Sequence, residues 1–228
     1  MTTVLITGAN RGIGLEFARQ YAAEGADVIA CCRAPEKAEA LNALAKTTGL
    51  RVMALDVTSP KSVGALKTAL AGRPIDIVIN NAGVGGPRNE AKGTIDFDAW
   101  VETLKTNSVA PMLVSLALHD NLKAGKLKKL ITITSMMGSI ANHGGGAYAY
   151  RASKAAVNSV MHGLSKDWAK DGIAVGIYHP GWVKTDMGGA SAPVMPQESV
   201  KGLRAQIARL SATNSGAYLD YTGKEIAW

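Results

Sequence analysis

Tyr150 and Lys154 stand four residues apart in a stretch whose apolar periodicity predicts a helix over 149–170. That spacing places a phenol and an ammonium on one helix face. A free tyrosine titrates near pH ~10. A neighbouring positive charge favours the phenolate and lowers that value. A drop of about three units corresponds to roughly 4 kcal/mol and lets the phenol exchange a proton at neutral pH. Reduction of a carbonyl needs such a proton on oxygen as hydride reaches carbon. Tyr150 is therefore the candidate acid for reduction and the candidate base for the reverse reaction. Tyr148 competes for the role, but its i+4 neighbour is Ala152 and brings no cation. A Tyr–Lys pair standing alone reads as an amphipathic surface contact, so its meaning depends on what else the chain carries.

A glycine-rich loop supplies that context. Thr7-Gly8-Ala9-Asn10-Arg11-Gly12-Ile13-Gly14 follows an apolar run and opens an amphipathic one. Glycines let a strand–helix turn tighten and let backbone approach a phosphate. The helix start offers unpaired N–H groups and a dipole that favours an anion. The expected ligand is a dinucleotide. Its type follows from the end of the second strand, Ala30-Cys31-Cys32-Arg33-Ala34. An acidic residue there bonds a ribose 2′-hydroxyl, whereas an Arg accommodates a 2′-phosphate. No carboxylate stands in that place. Arg33 and Arg11 offer two guanidinium groups to one anionic position. NADP(H) is therefore expected over NAD(H). An oxidised, positive nicotinamide ring adds to the pull on the Tyr150 proton.

These groups need a scaffold that gathers positions far apart in sequence. Near-continuous apolar runs at 3–7, 27–32, 51–55, 75–80, 130–134 and 174–178 predict strands buried on both faces. Amphipathic runs at 13–24, 36–46, 60–71, 97–121, 149–170 and 197–209 predict helices. The alternation predicts an α/β fold: one domain over 1–228, with a doubly wound parallel sheet of about seven strands and helices on both faces. Ligands of such sheets sit at the carboxyl ends of the strands. That rule gathers Gly8–Gly14, Asn80–Gly83, Ser135 and Pro180–Thr185 on one rim. It sends the cluster Lys123, Lys126, Lys128 and Lys129 to the other.

Composition narrows the class. The chain has 228 residues, 47% hydrophobic and 19% charged. That is enough apolar material for a large core and too little charge for a disordered chain. No uncharged apolar run reaches membrane-helix length, and the N-terminus lacks a basic start and cleavage site. The expected location is the cytoplasm. Cys31 and Cys32 are neighbours that point to opposite faces of a strand, and read as buried small hydrophobes. His119, His143, His162 and His179 lack a ligand-like arrangement, so no metal is expected. The net charge is +7, from 25 Lys+Arg against 18 Asp+Glu. The charge is dispersed, without interleaved aromatics, which argues against nucleic acid.

The motifs together resemble the short-chain dehydrogenase/reductase family over nearly the whole chain. The matching elements run in order: the Gly-x-x-x-Gly-x-Gly loop, Asp56, Asn80-Asn81-Ala82-Gly83, Asn107 in a long helix, Ser135, Tyr150-x-x-x-Lys154 and Pro180-Gly181. The phrases Tyr150-Arg151-Ala152-Ser153-Lys154 and His179-Pro180-Gly181-Trp182-Val183-Lys184-Thr185-Asp186-Met187, with Trp228, are similar to its C-factor/Sniffer-type carbonyl reductase branch.

The resemblance implies a catalytic set of Ser135, Tyr150, Lys154 and Asn107. Ser135 would donate to the substrate oxygen. Asn107 would bend its helix and hold a water beside Lys154. Ser139 remains a rival, because 142–146 lengthen the Ser–Tyr gap, and a buried core Asn is the other reading of Asn107. The resemblance also implies cofactor contacts beyond Gly8, Asn10, Arg11, Gly12, Ile13, Gly14 and Arg33. Asp56 and Val57 would flank the adenine. Asn80, Ala82 and Gly83 would line the ribose side and steady the sheet. Pro180, Gly181, Val183 and Thr185 would hold the nicotinamide end. A turn or cap is the competing role for Asp56 and Asn81. Met136, Met137, Trp182 and the 187–196 stretch are candidates for a pocket wall and lid. The family's habit of associating through long helices implies a homodimer or homotetramer through 97–121 and 149–170. The expected function is NADPH-dependent reduction of an aldehyde, ketone or quinone-like carbonyl. The alternative is an NADP(H)-binding signalling or sensor protein with little turnover.

Overall fold

The computed structural model describes residues 1–87 and 93–228. Strands β1 (Thr3–Thr7), β2 (Asp27–Cys32), β3 (Arg51–Ala54), β4 (Ile77–Asn80), β5 (Lys129–Ile133), β6 (Ala174–His179) and β7 (Tyr218–Asp220) form one sheet. Its order is β3-β2-β1-β4-β5-β6-β7, and each pairing is parallel. The chain runs outward from β1 to β3, then returns to place β4 on the other side of β1. That reversal opens a crevice at the carboxyl ends of β1 and β4. β7 has only three residues, too few for a period to be read from sequence. Pairing with β6, Ile177 to Tyr218 through His179 to Asp220, makes it a strand.

Side-chain alternation splits the interior into two cores. Val4 and Ile6 of β1 pack with Phe17, Ala18 and Tyr21 of helix α1 (Gly12–Ala23) and with Leu203 and Ile207 of α8 (Pro196–Arg209). Leu5 faces the opposite layer. That layer comprises α3 (Pro60–Ala69), α5 (Ala110–Ala117), α6 (His119–Ala124) and α7 (Tyr148–Asp167), with Val63, Val114, Leu122, Val157 and Met161 inward. The remaining helices are α2 (Glu39–Thr48) and α4 (Phe97–Leu104). Cys31 and Cys32 are both buried and free, one in each core, as their alternation requires. Each fully buried large aliphatic side chain contributes about 1.5–3 kcal/mol. Among the described residues, no helix is long and apolar enough to cross a membrane.

The long helix expected over 97–121 is interrupted. A wide π turn occupies Lys105–Val109 between α4 and α5, and a second break falls at Leu118. Pro111 explains the first break. It has no N–H to return to the carbonyl of Asn107, so the regular ladder cannot continue there.

Asp76 pins the far rim of the sheet. Its buried carboxylate accepts Thr3 N at 2.8 Å, Lys126 N at 2.7 Å and Leu127 N at 3.2 Å. Burial alone raises its pKa, but the three N–H bonds outweigh it and leave the group below the usual value. The lysine cluster lies on this rim as expected, with Lys123 paired to Asp171 at 2.8 Å and Lys129 Nζ on Ile207 O at 2.7 Å. Asp76→Asn is expected to cost about 1.5–3 kcal/mol in urea unfolding at pH 7. A lowered carboxyl pKa contributes stability above about pH 4 that is lost as pH falls through the folded value. The gap between variant and native protein should therefore narrow in acid, and a gap independent of pH would contradict this account.

Candidate active site

The carboxyl ends of β1 to β6 open onto one cleft of about 720 Å³. At its centre Gly8 and Gly12 adopt φ of +65° and +54°, the left-handed region that favours glycine. Gly14 is constrained by space: an added Cβ would lie 2.3 Å from Gly8 O and 2.5 Å from Asn81 Nδ2. Asn81 locks the turn from the side, donating through Nδ2 to Thr7 O at 2.9 Å and Gly8 O at 3.2 Å. The main-chain N–H groups of Asn81 and Ala82 donate to Thr7 Oγ1 at 3.0 and 3.1 Å. α1 begins with no side-chain cap and no acid in its first turn. Its end therefore keeps the partial positive charge that suits a phosphate. Gly8, Asn10, Arg11, Gly12 and Ile13 all line the cleft.

One end of the cleft is lined by Arg33, Lys37, Asp56 and Val57. No acidic residue follows β2 directly; Arg33 occupies that place and is exposed. Lys37 joins it, a cation the sequence reading did not single out, although it lies one helical turn beyond Arg33. Asp56 lines the cleft and also holds its own turn. Its Oδ1 accepts Thr58 Oγ1 at 2.7 Å and Thr58 N at 2.9 Å. The Thr58 bonds, aided by the Arg33 charge, keep this carboxyl below the usual range against the effect of burial. Arg11 reaches the other way and pairs with Asp186 at 2.6 Å, tying the glycine loop to the segment after β6.

The other end is lined by Ala82, Gly83, Tyr150, Lys154, Pro180, Thr185 and Met187. The Tyr150 phenol is hydrogen-bonded to the Ser135 side chain. Lys154 Nζ lies 5.7 Å from the centre of the Tyr150 ring and donates to Ile133 O at 3.0 Å. Ser135 Oγ also accepts Met137 N at 3.1 Å. Ser139 instead receives Asn142 N and Nδ2 at 3.1 and 3.0 Å, within its own loop. Tyr148 is exposed and stacks near His143, with ring centres 6.2 Å apart. The geometry thus separates both rivals from the Ser135–Tyr150–Lys154 group.

Asn107 is buried in the π turn. Its Oδ1 accepts Val84 N at 2.8 Å, and its Nδ2 donates to Val84 O at 2.9 Å and Ser153 Oγ at 3.0 Å. A Cβ placed on Gly83 would be 3.1 Å from Asn107 Oδ1 and 3.8 Å from Lys154 Nζ. The side chain thus ties the strand β4 exit to α7 beside the lysine.

Four expected contact residues stand behind the cleft wall. Gly14 packs beneath Gly8. Asn80 Nδ2 bonds Ser115 Oγ at 3.0 Å and Pro111 O at 3.4 Å, which steadies the sheet against α5. Gly181, at φ +87°, packs on the Tyr221 ring, and Val183 is buried and bridged to Val194. Asn81, Lys37, Asp186 and Met187 line the cleft in addition to the residues singled out as cofactor contacts. Among the described residues no three His, Cys, Asp or Glu side chains gather to hold a metal.

The cleft runs from a cationic end at Arg33 and Lys37, past the glycine turn and the start of α1, to a phenol–amine end at Tyr150 and Lys154. The profile of short chain dehydrogenases matches residues 2–194. The chain belongs to the short-chain dehydrogenase/reductase family. It is 41% identical to the C-signal of Myxococcus xanthus over 165 residues, covering 72% of this chain and 99% of that protein. Its structure is similar to that of an NADPH-bound carbonyl reductase from chicken fatty liver, with TM-score 0.93 and 36% identity over 100% of this chain and 99% of the other. The carbonyl reductase Sniffer of D. melanogaster gives TM-score 0.91 and 30% identity over the full length of both.

In this short-chain dehydrogenase/reductase, burial governs both titrating groups. It pushes the Tyr150 phenol up, partly offset by the Ser135 bond. Burial thus works against the lowering expected from Lys154 and a positive nicotinamide ring. Burial pushes the Lys154 amine down from 10.5 to about 8. The unfolded chain therefore binds the lysine proton more tightly, and this residue makes stability rise between about pH 8 and 10.5. Lys154→Met should remove up to about 3 kcal/mol of that rise. Urea unfolding of both proteins at pH 7.5 and 10 measures it; an equal rise in both would show the amine is not buried.

Proposed function

We propose that the protein is an NADPH-dependent carbonyl reductase for an aldehyde, ketone or quinone-like substrate, able to run in reverse on the alcohol. One observation carries the proposal: a single cleft is lined by Arg33 and Lys37 at one end and by Tyr150 and Lys154 at the other, with Ser135 bonded to Tyr150 from behind the wall. Similarity to the NADPH-bound chicken carbonyl reductase supports it. Arg33 and Lys37 would take a 2′-phosphate, and the N–H groups of Gly12 and Ile13 would take the central phosphates; Arg11, expected beside Arg33, instead pairs with Asp186. Asp56 and Val57 would flank the adenine, and Pro180 and Thr185 would hold the nicotinamide end.

The nicotinamide, when bound, supplies the hydride. Ser135 donates a hydrogen bond to the substrate oxygen and holds it against Tyr150 Oη. Donors aimed at the oxygen stabilise the charge that develops there. Tyr150 gives its proton to that oxygen, and burial keeps the phenol in the protonated form that reduction needs. The phenolate left behind faces Lys154, whose charge stabilises it and whose Nζ is steered by Ile133 O. Asn107 keeps α7 in register by bonding Ser153. Residues 1–228 act as one domain in this reading. Exposed Phe97, Val101, Val109 and Leu116 support association as a homodimer or homotetramer. A signalling role with little turnover is not favoured, because it leaves the gathered Ser135, Tyr150 and Lys154 without a purpose.

Tyr150→Phe is expected to lower turnover of a diketone or quinone by about 10²–10⁴-fold while leaving NADPH affinity unchanged. Retained turnover would remove Tyr150 from the mechanism. Arg33→Ala should raise the NADPH Kd by about ten-fold or more and leave the NADH Kd alone. Fluorescence titration with both nucleotides measures this, and equal loss for both would remove Arg33 from phosphate recognition.

A further inference from the structure

We infer that Tyr218 positions Ser135, and that Trp228 in turn holds Tyr218. The Ser135 carbonyl takes two donors. One is Gly138 N at 2.9 Å, within the local turn. The other is the hydroxyl of Tyr218, 83 residues away at the start of β7. The same hydroxyl is bonded to the side chain of Asn158, one helical turn beyond Lys154 on α7. Tyr218 therefore joins the strand end that carries Ser135 to the helix that carries Tyr150 and Lys154.

Tyr218 is 1% exposed. A buried hydroxyl is costly unless bonded, and phenylalanine would fill the same space. The bonds to Ser135 and Asn158 account for the hydroxyl. Burial pushes its pKa up to about 12, so it keeps its proton and donates. Trp228 closes the arrangement. Its ring lies 5.3 Å from that of Tyr218 and 5.0 Å from His162, and its main-chain O accepts Ala141 N at 2.9 Å. The 218–228 segment thus grips the 135–141 loop at both ends.

The consequence concerns Ser135 Oγ. Its direction depends on the main chain that carries it, and it must face both Tyr150 and the substrate oxygen. Reacting groups displaced by about 1 Å lose on the order of 10²-fold in rate. This inference rests on the reductase reading, in which Ser135 touches substrate; Tyr218 touches neither substrate nor cofactor.

The test compares native protein, Ser135→Ala, Tyr218→Phe and the double variant in NADPH-driven reduction of a diketone or quinone. Tyr218→Phe should lower kcat about ten-fold, leave the NADPH Kd unchanged, and add little in the Ser135→Ala background. A merely structural role would multiply with Ser135→Ala. If Ser135→Ala is as fast as native protein, the reductase reading of Ser135 fails. If Ser135→Ala is slow and Tyr218→Phe is not, or the two effects multiply, the positioning inference alone fails. Amide hydrogen exchange gives a readout independent of turnover: protection at 136–141 should fall in Tyr218→Phe, and unchanged protection overturns the inference. Should Tyr218→Phe not fold, Trp228→Leu carries the same test, with a smaller fall in kcat that again vanishes without the Ser135 hydroxyl.

Discussion

Backbone contact between the Gly8–Gly14 turn and the end of β4 is the constraint under everything built above it. A Cβ on Gly8 would meet Ala82 Cα at 2.9 Å, and one on Gly14 would meet Gly8 O at 2.3 Å. With no side chain between them, two strands that are neighbours in the sheet and distant in sequence share one polar junction. Thr7 and Asn81 satisfy that junction with four hydrogen bonds. The start of α1 is thereby aimed across the carboxyl edge of the sheet, where its unpaired N–H groups suit an anion. The cleft, its cationic end and its phenol end are all placed relative to this turn.

Burial against charge is the second theme. The phenol of Tyr150 and the amine of Lys154 are both driven towards their neutral forms. Neither is abandoned by hydrogen bonds: Ser135 meets the phenol and Ile133 O meets the amine. A proton leaving Tyr150 would create charge where water is scarce, and the nearby amine is the compensating group. In a low dielectric such a pair interacts strongly.

Much of the architecture was legible because burial leaves a plain record. β1, β2, β4, β5 and β6 lie inside two helical layers and therefore read as continuous apolar runs, whereas β3, expected to be buried on both faces, is a half-buried edge strand. β7 was not legible, since three residues carry no period and its pairing with β6 makes it a strand. The 97–121 region read as one helix because its apolar pattern is continuous; Pro111 broke the ladder, and the cue was in the sequence. The Gly-x-x-x-Gly-x-Gly loop and the Tyr150–Lys154 pair, expected to share a site, line one cleft. Asn80, expected to line the cleft, stands behind its wall, and Asn81, expected at a turn, lines it. One turns to Ser115 and the other to the glycine turn, and only the strand's two-sided environment decides which.

By itself the sequence determined the residues that local rules constrain: glycines where φ is positive, an i,i+4 phenol–amine pair, an arginine in place of a carboxylate after β2, and the strand–helix alternation. Each of these is a property of neighbours along the chain. Tertiary structure decided what depends on meeting across the chain. Arg11 pairs with Asp186, Ser135 rather than Ser139 stands beside Tyr150, and Tyr218 reaches the Ser135 carbonyl. It also set burial against the expected lowering of the Tyr150 phenol. Spacing reports that a cation is near, but how far water has been excluded from both groups is a property of the packed molecule.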